Sequence, residues 1–172
     1  MEVERSGRIE GFEDWDAALP LAGGREETIP YAVVPESDLN ALGQVYCARF
    51  PAVMDYGERV LLRERLERPL SAPLVARLSP ELRRIYYFAN ADPHETLTVR
   101  LQAQVMPAPA SKVVTRLRTP ARLLFRIDLS RGSDGVLMAS SLVRKALKIP
   151  GQLKSVLTEA DRWLGGLANA TS

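Results

Sequence analysis

Leu97, Val99, Leu101, Ala103 and Val105 alternate without a miss with Thr96, Thr98, Arg100, Gln102 and Gln104. Successive side chains of a strand point to opposite faces, so residues 95–105 read as a strand with one apolar and one polar face. Such a strand needs neighbours along its edges and something apolar over one face only. Candidates for the neighbours are 28–34 (ended by Pro35), 70–78, 84–89, 112–118, 122–129 and 136–143. Arg131-Gly132-Ser133-Asp134-Gly135 has the composition of the hairpin turn joining the last two. One stretch keeps a different period. Phe50, Val53, Met54, Gly57, Val60 and Leu61 follow the i, i+3, i+4, i+7 rule of a buried helix face. The pattern predicts a helix from Ala41 or Gly43, broken or kinked by Pro51 near Arg49 and Phe50, and ended by the charge run 64–67 and Pro69. The order is strand, helix, five or so strands, then an amphipathic helix over 152–167. That order implies an α+β domain: one helix backed by a curved antiparallel sheet. The expected units are an acidic, partly ordered leader over 1–27, a domain over 28–148, and the terminal helix and tail over 149–172.

A chain of 172 residues with 46% apolar residues can bury a core without staples. No run reaches the roughly 18 to 20 apolar residues that a membrane-spanning helix needs, so no membrane partner is expected. Cys47 is the only cysteine and His94 the only histidine. That excludes internal disulfides, cysteine-rich zinc sites and three-histidine metal centres, and it fits a cytoplasmic location. No phosphate loop, dinucleotide fingerprint or nucleophile elbow occurs, and no cofactor or metal is implied. Charge is unevenly spread. Residues 1–50 hold 4 Lys/Arg against 10 Asp/Glu, and residues 111–172 hold 11 against 4. The basic third suggests an anionic partner, or else the two ends of the chain face each other. Few aromatics are interleaved among the basic residues, so nucleic acid is not expected.

Three places could carry chemistry. At the expected helix start, Asn40 would lie among N–H groups that have no intrahelical partner, which favours negative charge there. A thioester oxygen could be held at that point, or Asn40 could simply cap the helix, as Ser37 or Asp38 also could. On the helix's polar face stand Tyr46, Asp55, Tyr56 and Glu58. Asp55 is placed for an i, i+4 ion pair with Arg59. Glu58 borders the apolar stripe, where a cleft could raise its pKa and make it a base. The third place is 86–95, where Asn90, Asp92 and His94 follow an aromatic strand; a turn accounts for all three.

Residues 38–50 resemble the loop-and-helix motif of hot-dog acyl-thioester enzymes of the 4-hydroxybenzoyl-CoA thioesterase type. Asn40 stands where those enzymes have an acidic residue, followed by the matching Gly43, Val45 and Tyr46. The enediyne polyketide thioesterases, with Asn at that position, are more similar. Asp38, Asn40, Tyr46, Ala48, Phe50 and Pro51, then 86–92, also resemble polyketide-associated hot-dog proteins related to the leinamycin-type acyltransferase/decarboxylase. The resemblance covers about residues 28–145. It implies a hot-dog fold, with the sheet wrapped around one central helix, and a homodimer with sites shared between subunits. It further implies hydrolysis of an acyl thioester, on CoA or an acyl carrier protein, in polyketide or related biosynthesis. Asn40, Tyr46, Asp55 and Glu58 would be catalytic. Asp38, Gly43, Gln44 and Asn90 would line the substrate, and Arg116 and Arg118 would meet the phosphates of the pantetheine arm or an acidic carrier. Acyl transfer with decarboxylation, 3-hydroxyacyl dehydration and acyl binding without turnover are the alternatives.

Overall fold

The computed structural model describes residues 12, 15–21, 24–106, 121–148, 159–160 and 162–163. Six strands make one antiparallel sheet: β1 (Leu19–Pro20), β2 (Glu27–Ala32), β3 (Leu78–Tyr87), β4 (Thr96–Met106), β5 (Arg122–Arg131) and β6 (Leu137–Leu147). β1 and β2 lie end to end along one edge of β4, with Leu19 opposite Val105 and Ile29 opposite Val99. β5 and β6 follow, and β3 pairs with β6 to close the far edge. The alternation along β4 is realised in full: Leu97, Val99, Leu101, Ala103 and Val105 are buried.

That apolar face receives the helix α2 (Phe50–Val60). Phe50, Val53, Met54 and Gly57 are buried beneath it. Gly57 is required by the approach, because a Cβ there would stand 2.6 Å from Val99 Cγ1. A π turn (Leu61–Arg65) continues α2 and adds Leu61 and Leu62 to the core. An antiparallel sheet laid around one buried helix is the architecture that the hot-dog resemblance implies.

Several expectations are corrected. The helix begins at Phe50, after a 3-10 turn at Cys47–Arg49, and not at Ala41 or Gly43. Pro51 therefore falls in the first turn, where a missing N–H removes no bond; the break expected near Arg49 and Phe50 is present as the passage from the 3-10 turn to α2. Residues 40–44 instead make a tight loop closed by a bridge between Leu39 and Val45. The segment 70–78 is not a strand. A short helix, α3 (Ala72–Val75), occupies it, with a proline in its first turn and Leu74 turned into the core. β3 then runs unbroken from Leu78 to Tyr87, apart from a bulge between Pro80 and Leu82.

Parts of both chain ends join the fold. Phe12 and Trp15 pack with Leu124 and Leu142 on the sheet's outer face, and the Arg126 guanidinium lies 5.7 Å from the Trp15 ring. Leu21 reaches the main core. Ala160 and Trp163, from the predicted apolar stripe, are helical and buried, and Trp163 Nε1 donates to the Arg68 carbonyl at 3.0 Å. The strand expected over 112–118 lies outside the described residues. Among the described residues, no helix is long and apolar enough to cross a membrane.

Candidate active site

Asp55, Glu58, Arg59, Leu62 and Arg63 recur at three- and four-residue intervals, which places them along one side of α2 and its π continuation. They form one wall of a cavity of about 550 Å³. Ala72, Val75 and Ala76, in and just after α3, form another. Leu78, Pro80 and Arg83 of β3 and Lys145 of β6 complete it. A π turn inside a helix is often found at a functional site, and here it carries Leu62 and Arg63 to the cavity.

Four charges meet in this cavity. Arg83 donates to both Asp55 oxygens, and its Nη2 lies 3.4 Å from Glu58 Oε1. Lys145 Nζ donates to Asp55 Oδ1 at 2.9 Å and pairs with Glu58 Oε2. Glu58 is only 2% exposed. Burial is the largest influence on it, and the nearby Asp55 charge acts in the same direction. Lys145 and Arg83 oppose both incompletely, so its carboxyl is pushed up to about 7. Burial would raise Asp55 too, but hydrogen bonds from Arg83 and Lys145 outweigh it and hold that carboxyl below the usual range. A cleft wall bearing a carboxyl that titrates near neutrality can move protons. The cleft and raised pKa expected for Glu58 are present. The Asp55–Arg59 pair is not: Asp55 is taken by Arg83 and Lys145, which approach from the sheet.

Asn40 belongs elsewhere. Because α2 starts at Phe50, Asn40 does not meet the helix's free N–H groups. Its Oδ1 accepts from Leu42 N at 2.9 Å and Gln44 N at 3.1 Å, which holds the loop together. Gly43 has φ +74°, a conformation glycine adopts freely, so the turn accounts for it. Neither Gly43 nor Gln44 supplies a helix-start N–H. Tyr46 precedes the 3-10 turn, off the helix, and is half exposed. Asn90 is exposed beside Ala91, whose carbonyl accepts from Val45 N at 3.0 Å. Residues 40–46 and 90 thus share a loop cluster, and none of them lines the cavity of Asp55 and Glu58.

Asp38 is fully buried as a junction. It accepts from Tyr31 Oη and Val34 N, each at 2.8 Å, from Ser37 Oγ at 3.1 Å and from Arg49 Nε at 3.2 Å. These bonds tie β2 and the short helix α1 (Pro35–Asp38) to the turn before α2. His94 is exposed, in a shallow hollow with Asp92 and Glu95. Among the described residues no cluster of His, Cys, Asp and Glu could hold a metal ion. Arg116 and Arg118 lie outside the described residues.

Arg83 and Lys145 escape a reading of local pattern, yet each leaves a trace. Lys145 shares the inward period of β6 with Val143 and Leu147, both buried. Arg83 shares that of β3 with Ile85, which packs on the core. A basic side chain at an inward strand position is the signal of a buried charge with a partner.

The element order and strand pairing define a hot-dog protein. Solved structures with the same fold confirm the class. A probable thioesterase from Bartonella henselae superposes with TM-score 0.52 at 18% identity, over 71% of this chain and 88% of its own. A 1,4-dihydroxy-2-naphthoyl-CoA thioesterase from Synechocystis gives 0.51 at 18%, over 80% and 98%. A hypothetical protein from Thermus thermophilus gives 0.53 at 21%, over 78% and 96%. The sequence matches no protein-family model and no curated protein.

Proposed function

We propose that this protein hydrolyses an acyl thioester at the α2 cavity, with Glu58 as general base. One observation carries the reading: a carboxyl titrating at about 7 is buried in the wall of a cavity, between Lys145 and Arg83. Ionised Glu58 takes a proton from a water molecule as the water oxygen attacks the thioester carbonyl carbon. The charge that develops on the carbonyl oxygen is offset by the Lys145 ammonium. The C–S bond then breaks, the carboxylic product forms, and the proton held by Glu58 goes to the leaving thiolate.

Support for the leaving group comes from the fold, which the Synechocystis acyl-CoA thioesterase shares. CoA or an acyl carrier protein is the carrier in this reading. The motif at 38–51 supports a role in polyketide or related biosynthesis, and a cytoplasmic location is part of the same proposal. Dimerisation is part of the same proposal. β3 is an unpaired edge with Tyr86 and Tyr87 exposed on it, and an open edge of that length is a template for a second copy. Light scattering should report about twice 19.0 kDa.

The test is release of free thiol from a panel of acyl-CoA thioesters. The wild type should turn over at least one of them, and Glu58→Gln should lose about 10²- to 10⁴-fold in kcat with its fold intact by circular dichroism. Full activity in Glu58→Gln removes the base. Binding without thiol release across the panel makes this an acyl-binding protein.

A further inference from the structure

We propose that the α2 cavity selects an acyl group that itself ends in a carboxylate, held by Arg59 and Arg63. The inference rests on the thioester reading for what the acyl group is attached to; the capture of the anion does not.

The charges lining the cavity do not balance. Arg59, Arg63, Arg83 and Lys145 stand against Asp55 and Glu58, so four cations face two carboxylates. Arg83 and Lys145 are already engaged with those carboxylates. Arg59 and Arg63 have no ion-pair partner among the described residues, although both line the cavity. Leu62, Val75 and Leu78 give the same cavity an apolar surface. A ligand complementary to this lining has a short apolar body and an anionic end. Guanidinium groups bind planar carboxylates through paired N–H donors, which makes two arginines one turn apart a fitting receptor.

Position decides between a carboxylate on the acyl group and a phosphate on the carrier. Arg59 follows Glu58 directly, and Arg63 is five residues on, about 7 Å along a helix at 1.5 Å per residue. The phosphates of CoA or of a carrier's prosthetic arm are separated from the thioester sulfur by the whole pantetheine chain. A thioester carbonyl at Glu58 therefore leaves those phosphates outside a cavity of about 550 Å³. An acyl chain of a few carbons spans the interval from Glu58 to the arginines. Monothioesters of succinic or glutaric acid are of the right class.

Titration calorimetry with glutarate, glutaramide and phosphopantetheine tests the capture directly, without turnover. Glutarate should bind the wild-type protein, and glutaramide should not. Arg59→Gln with Arg63→Gln should weaken glutarate by about 10- to 100-fold, the effect of losing charge-assisted hydrogen bonds. Both arginines are on the surface, so circular dichroism of the double variant should match the wild type. In turnover, the wild type should prefer glutaryl-CoA to pentanoyl-CoA, and that preference should collapse in the double variant. Glu58→Gln separates the two proposals: it should lower kcat by about 10²- to 10⁴-fold while glutarate still binds. Equal binding of glutarate and glutaramide, or glutarate binding untouched in the double variant, overturns the inference. Phosphopantetheine competing as strongly as glutarate overturns it too and gives the arginines to the carrier arm. If glutarate binds as described and no thioester is hydrolysed, the anion site stands and the hydrolase reading falls.

Discussion

Among the described residues two carboxylates are buried, Asp38 at 0% and Glu58 at 2% exposure, and their surroundings drive them in opposite directions. Asp38 is desolvated, but a backbone N–H, a phenol, a hydroxyl and a guanidinium donate to it, and its carboxyl is held below the usual range. Glu58 is desolvated with two cations at its oxygens and an acidic neighbour that competes for them, and its carboxyl is pushed up to about 7. Burial is thus common to both, and the count of donors aimed at the charged form decides the outcome. The first arrangement makes a permanent anion that ties three elements together. The second makes a group that exchanges its proton near neutrality, beside a cavity.

The sharpest way to break this contrast is to neutralise each carboxylate in turn. Glu58→Gln should remove activity by the large factor given above and leave unfolding nearly cooperative and unshifted at low pH. Asp38→Asn should do the reverse, lowering unfolding free energy by about 3 kcal/mol in urea titrations, because donors that met an anion now meet an amide. An Asp38→Asn protein as stable as wild type would make the two sites equivalent.

The proton balance supplies the next test. Glu58 is raised from about 4.5 to about 7, so the folded state holds its proton over that window. Its contribution to stability is complete below about 4.5 and is lost as pH rises through about 7. Asp38 is lowered from 3.8, so its contribution is present above that value and fades as pH falls. Thermal melts should therefore show Glu58→Gln gaining on the wild type from pH 5 to pH 8, and Asp38→Asn approaching the wild type below about pH 4. In turnover, kcat/KM should rise with pH through a limb near 7, since the base works ionised. Lys145→Met should move that limb upward, because it removes the cation that most favours the Glu58 anion. A limb that stays in place in Lys145→Met would mean that Glu58 is not the titrating group.

The smallest effect is expected at Asn40. Its side-chain oxygen serves two backbone N–H groups of a solvent-facing loop, and Asp presents the same oxygen. Asn40→Asp should change stability by less than about 0.5 kcal/mol and kcat by only a few-fold. A loss of a hundredfold would return Asn40 to the chemistry and weaken the case for Glu58.

One helix backed by an antiparallel sheet was legible in the chain, because its two strongest signals are local; that the sheet wraps the helix as in a hot-dog fold was implied by the resemblance at 38–51. The alternation at 96–105 and the helical period from Phe50 to Leu61 each report which face of one element is apolar. Glu58 was legible for the same reason, as a carboxylate bordering that stripe. The helix start was misplaced because Asp38 and Asn40 look like caps. Their side chains close a loop instead, through Val34 N, Leu42 N and Gln44 N. The 70–78 segment was misassigned because Leu70, Val75 and Leu78 carry too few residues to distinguish a single helical turn from a short strand.

What the sequence by itself determined is therefore the element pattern around one buried helix, and the acidic residue on the helix's edge. Only the tertiary structure decided that Glu58 would face Arg83 and Lys145. Those residues are 25 and 87 positions away, and they meet because β3 pairs with β6 in the register that sets Arg83 opposite Val143 and Pro80 opposite Lys145. That register puts two inward cations side by side beneath the helix. A carboxyl's pKa is the balance of desolvation against the charges near it, and no local pattern contains either until the sheet has closed.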